Sequence, residues 1–98
     1  METVLRAPPT LGLEERARFR REAVGLLRSM PEASGQLVID FSRTRSVDSA
    51  GLGALLSVQR QAAARAQRVA LRGMNEEIRH LLKLTKLDGL FTLPSNGA

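Results

Sequence analysis

Apolar and polar positions follow two rhythms along this chain, and the change from one to the other marks its elements. Gln36-Leu37-Val38-Ile39-Asp40-Phe41 is a short, nearly continuous apolar run held between Gly35 and Ser42, the pattern of a buried strand. Beyond Val47-Asp48-Ser49-Ala50-Gly51 the rhythm becomes helical, with Leu52, Leu55, Leu56, Ala63 and Ala66 on one stripe. A second helical pattern covers roughly Glu14 to Ser29, with Ala17, Phe19 or Arg20, Ala23, Val24, Leu26 and Leu27 as its apolar side. A third runs from Ile78 to Leu87 through Leu81, Leu82 and Thr85. Thr3–Leu5, Val69–Leu71 and Leu90–Leu93 are short enough and apolar enough to be further strands.

The boundaries agree with these patterns. Pro8-Pro9 stops the first strand, and Thr10 can cap the first helix. Pro31 and Gly35 end that helix, Gln67-Arg68 ends the next, and Gly73 breaks the strand that follows. Asn75 is placed to cap the third helix, with Glu76 and Glu77 in its first turn and Gly89 as its C′ residue. The predicted order is β–α–β–α–β–α–β, which calls for right-handed crossovers. The expected fold is α/β: a mostly parallel four-stranded sheet with three or four helices mainly on one face. Residues 1–98 form a single domain in this reading, with a loose tail over 94–98. A thinly covered second face would need an antiparallel edge or a partner, and a homodimer is compatible with it.

Composition narrows the function classes. With no cysteine among 98 residues, disulfides, thiolate chemistry and cysteine metal sites are excluded. No apolar segment approaches the ~20 residues of a membrane span, and Met1–Arg6 lacks a signal core, so a cytoplasmic protein without direct membrane insertion is expected. The net charge is +5, from 15 basic and 10 acidic residues. Glu14, Glu15 and Glu22 interrupt the Arg16–Arg28 cluster, and Trp and Tyr are absent, which argues against nucleic acid as the partner. The lone His80 has no second histidine for a metal site. No third group supports a Ser–His pair, and Gly51-Leu52-Gly53 lacks the spacing of a phosphate-binding loop. No cofactor and no catalytic residue are expected.

The chemical handle is the strand-to-helix junction. Asp48 or Ser49 is the natural N-cap of the second helix, where unpaired N–H groups and the positive end of the dipole converge. A phosphate on Ser49 would meet an anion-friendly terminus. A plain capping serine would instead contribute on the order of 1 kcal/mol to the helix and nothing more. Asp48 is suited to capping or to orienting the hydroxyl. Gly51 and Gly53 each cost about 1 kcal/mol of helix propensity relative to alanine, which implies close backbone approach by the sheet beneath or by a partner above.

These residues carry a family resemblance. Leu37-Val38-Ile39-Asp40-Phe41-Ser42, then Val47 to Leu56, Val69-Ala70-Leu71-Arg72-Gly73 and Ile78–Leu87 with Gly89-Leu90-Phe91 resemble the STAS domain of bacterial anti-sigma factor antagonists over about Leu37–Leu93. The resemblance implies that Ser49 is phosphorylated by a serine kinase that is also the anti-sigma factor. It implies that the unmodified protein binds this partner and the phosphorylated form lets go. The docking face would comprise Arg45, Ser46, Asp48, Ser49, Ala50, Gly51, Leu52, Gly53 and Leu55, with Leu52 or Leu55 giving apolar contact. The lead-in Ala7–Glu14 lacks the Gly-Glu-Leu-Asp-like start of that family, and the chain is basic where the antagonists tend to be acidic. Both features resemble a second branch, the small STAS subunit of the ABC transporter that maintains outer-membrane lipid asymmetry. There the same junction docks on the transporter ATPase, without obligatory phosphorylation.

Overall fold

The computed structural model describes residues 2–93; the tail expected over 94–98 lies outside them. The strands are β1 (Glu2–Arg6), β2 (Thr10–Leu11), β3 (Gln36–Asp40), β4 (Ser46–Val47) and β5 (Arg68–Arg72). The helices are α1 (Arg16–Ser29), α2 (Ser49–Ala64) and α3 (Glu76–Leu84), followed by a 3-10 turn at Asp88–Leu90. The main sheet has the order β1-β3-β5, and β2 and β4 form a separate two-residue ladder. Every pairing is parallel, as expected for strands joined by helical crossovers.

The expected fourth strand contracts to a single bridge. Thr92 pairs with Ala70, held by Leu71 N–H to Thr92 O at 2.9 Å and Thr92 N–H to Val69 O at 3.0 Å. Thr10 is not a helix cap. It pairs with Ser46 in the small ladder, and α1 starts at Arg16 after Glu15 with no side-chain cap. Ala17 and Arg20 are exposed rather than core, and the buried side of α1 is Phe19, Ala23, Val24 and Leu27. On α2 the buried set is Gly51, Ala54, Leu55, Val58 and Ala62, while Ala63 and Ala66 face solvent. On α3, Ile78 and Leu82 are buried and Thr85 is exposed.

Helices α1 and α2 pack side by side over one face of the sheet. Leu37 and Ile39 of β3 and Val69 and Leu71 of β5 join Phe19, Leu27, Leu55 and Val58 in one core. Strand alternation sends the intervening residues to the other face. There the register lines up Glu2, Gln36 and Arg68, then Val4, Val38 and Ala70, then Arg6, Asp40 and Arg72. This second face is thus a narrow apolar row between two polar rows.

The helix ends differ from the pattern reading for a common reason. Gly89 does not close α3: Lys86 takes the left-handed conformation at φ 59°, with Lys86 N–H to Lys83 O at 3.1 Å and Leu87 N–H to Leu82 O at 2.9 Å. This is a Schellman closure. Helix α2 ends the same way at Ala66 (φ 53°), with Gln67 N–H reaching Ala62 O at 2.9 Å. The buried Gln67 amide then donates to the carbonyls of Leu27, Met30 and Pro31, fixing the exit of α2 against the end of α1.

Candidate functional site

The N-terminus of α2 is built by its neighbours in the small ladder. Leu11 pairs with Val47, and Asp48 N–H donates to Leu11 O at 3.2 Å, so the chain leaves β4 in extended conformation at Asp48 (φ −96°, ψ −175°). That geometry makes Asp48 the N-cap: its Oδ1 accepts from Gly51 N–H at 2.9 Å, and its carbonyl accepts from Leu52 N–H at 2.9 Å. The second carboxylate oxygen accepts from Leu13 N–H at 3.3 Å, tying the lead-in of α1 to the start of α2. With both oxygens engaged by backbone, Asp48 holds the junction in place.

Ser49 is then the first residue of α2, and it is exposed. Its amide and that of Ala50 precede the first turn and have no intrahelical carbonyl to reach. Ser49 lines a groove of about 880 Å³ between α1 and α2, bordered also by Arg16, Arg20, Arg21 and Arg28 from α1. Among the described residues, no carboxylate or imidazole lines this groove.

The other expected docking residues divide. Arg45, Ser46, Asp48 and Gly53 are exposed, and Ala50 and Leu52 are half-buried. Leu55 is fully buried in the core, so of the two leucines only Leu52 reaches the surface. Gly51 is buried as well: a Cβ there would overlap the Leu11 carbonyl and come within 2.9 Å of Val47 Cγ1. Its requirement is the ladder beneath, which removes it from the accessible face. At Gly53 a Cβ would meet nothing within 4 Å. Arg45 is set by Arg45 N–H to Pro9 O at 2.8 Å and by Asn75 Nδ2 donating to its carbonyl at 3.1 Å.

One residue of this surface escaped the pattern reading. Leu13 is 64% exposed, beside the Asp48 carboxylate that anchors its amide. The arginine face of α1 was present in the sequence as the i, i+4 spacing of Arg16 and Arg20 continued to Arg28; only the packing of α2 alongside turns it into a groove wall. His80, on α3, is exposed, and the described residues contain no group of three metal-ligating side chains around it or elsewhere.

Solved structures with this architecture include an anti-sigma factor antagonist from Thermotoga maritima, 24% identical with a TM-score of 0.77 over 94% of this chain and 77% of that one. A sulfate transporter family protein from Wolinella succinogenes matches at 16% identity and a TM-score of 0.72, over 91% of this chain and 70% of that one. The anti-sigma factor antagonist SpoIIAA in its unphosphorylated form matches at 18% identity and a TM-score of 0.70, over 96% and 79% of the two chains. These likenesses establish the fold. The family model described as "Mlab, STAS domain" matches residues 2–93, and the chain belongs to the STAS domain family.

Proposed function

We propose that this STAS domain is a protein-binding switch of the anti-sigma factor antagonist type, set by reversible phosphorylation of Ser49. A serine kinase that is also the anti-sigma factor docks over Arg45, Ser46, Asp48, Ser49, Ala50, Leu52 and Gly53. It transfers the terminal phosphoryl group of a nucleoside triphosphate to Ser49 Oγ, takes up the hydroxyl proton and releases the diphosphate. The domain is the substrate and catalyses nothing. The observation that carries this reading is the exposed Ser49 hydroxyl at the first position of α2, beside a capping aspartate already held by backbone.

Phosphorylation adds about −1.5 to −2 charges near neutral pH. The helix N-terminus and the α1 arginines accommodate that charge without rearranging the fold. A docked partner instead meets added bulk and a dianion that must be desolvated, and it is expelled. Mass spectrometry after co-expression with serine kinases tests the reading: stoichiometric phosphate on Ser49 is expected, with Ser49→Ala retaining the partner and Ser49→Asp losing it.

The basic charge favours a second reading, a STAS subunit that supports the ATPase of an ABC phospholipid transporter through the same face. In that case Ser49→Ala weakens assembly with the ATPase, and Ser49 carries no phosphate.

A further inference from the structure

We infer that the groove between α1 and α2 is a docking trough for an acidic helix of a partner protein. The groove shares Ser49, Ala50 and Gly53 with the docking face proposed above, and the inference holds for protein unmodified at Ser49. Four arginines (Arg16, Arg20, Arg21 and Arg28) line one wall, and no carboxylate of the described residues lines the groove. None of the four joins an ion pair among the described residues, whereas the neighbouring Arg18 is matched with Glu22. Arg20 is positioned by its Nε donating to Ser57 Oγ across the groove at 2.6 Å. The result is uncompensated positive charge held in a recess.

Two glycines agree with an occupant. Gly25 of α1 and Gly53 of α2 both line this groove, and a Cβ at either would meet nothing within 4 Å. Neither is required by packing within the chain, yet each weakens its helix. Bare backbone on both helices permits close approach of a third helix. From Arg16 to Arg28 the wall is about 18 Å long at helical rise, or about three turns of an occupant.

Shape and composition select the class of partner. A bilayer presents a plane, whereas this charge borders a trough between two helices. Single-stranded nucleic acid is held largely by aromatic stacking, and the chain has no Trp or Tyr. A helix with glutamates along one face and small residues toward the glycines fits both the charge and the space.

The test uses the unmodified domain, isotope-labelled and verified free of phosphate by intact mass, so that its outcome is independent of the Ser49 switch. The probe is a capped helical peptide of about sixteen residues with glutamates on one face and alanines on the other. Amide shifts at Gly25, Gly53 and Ser57 are expected, with affinity falling as salt rises. Arg16→Glu with Arg28→Glu should weaken binding about tenfold or more. Lys83→Glu with Lys86→Glu on α3, an equal charge change, should cost less than about threefold. Gly25→Met and Gly53→Met should block binding while circular dichroism stays native. Equal binding of a lysine-faced counterpart, shifts confined to other surfaces, or indifference to the arginine pair would overturn the inference. So would phosphatidylglycerol vesicles or an oligothymidylate binding more tightly through the same arginines.

Discussion

Gly51 turns its α-carbon toward the Leu11 carbonyl, while Gly53, two residues on, faces open space. The same residue type serves two purposes within one turn, and sequence alone left the choice between sheet and partner undecided for both. Substitution separates them. Gly51→Ala forces a methyl group into backbone that cannot yield and should destabilise the domain by about 2–3 kcal/mol. Gly53→Ala should stabilise it by about 0.5–1 kcal/mol through helix propensity; thermal unfolding of the two variants gives the opposite signs directly. The chain offered Asp48 and Ser49 equally as the cap, since either side chain can accept from a first-turn amide; the extended backbone at Asp48 gives it the role. Its second bond, to Leu13 N–H, joins residues far apart in sequence and left no local trace.

At the scale of elements, long periodic segments were legible and short tertiary ones were not. Strands β1, β3 and β5 and the three helices carry enough apolar repeats to declare themselves. The ladder of β2 and β4 has two residues per strand, too few for any period, so Thr10 resembled a cap. Gly89 is the residue the sequence offers for left-handed closure of α3, while Ala66 and Lys86 adopt that conformation instead. A non-glycine residue in that conformation carries a steric penalty of about 1 kcal/mol. Ala66→Gly and Lys86→Gly should therefore each raise unfolding stability by about 0.5–1 kcal/mol in urea titrations, with m unchanged.

For the whole molecule, alternation of strands and helices was enough to require parallel pairing, but strand order came only with the structure. The helices do lie over one face, and the other carries its own chemistry. Asp40 stands between Arg6 and Arg72 in the polar row, with Arg72 Nη2 at 3.7 Å. Hydrogen bonds from Ser42, chiefly its backbone N–H at 2.8 Å, with the attraction of Arg72 and Arg6, hold its carboxyl below the ordinary value of 3.8. The unfolded chain therefore takes up this proton first. The contribution of Asp40 is complete above that ordinary value and is lost as pH falls through the lowered folded value; Asp40→Asn should flatten that part of the acid limb in a stability-against-pH profile. At this scale the central claim is that a partner grips the surface around Ser49 and that one phosphate there releases it. Calorimetric titration of the cognate partner into protein carrying genetically encoded phosphoserine at position 49, beside unmodified protein, measures this most directly. The account predicts affinity at least about tenfold weaker for the phosphorylated form, with an unfolding midpoint no lower than that of the unmodified protein; equal affinity of the two forms would contradict it.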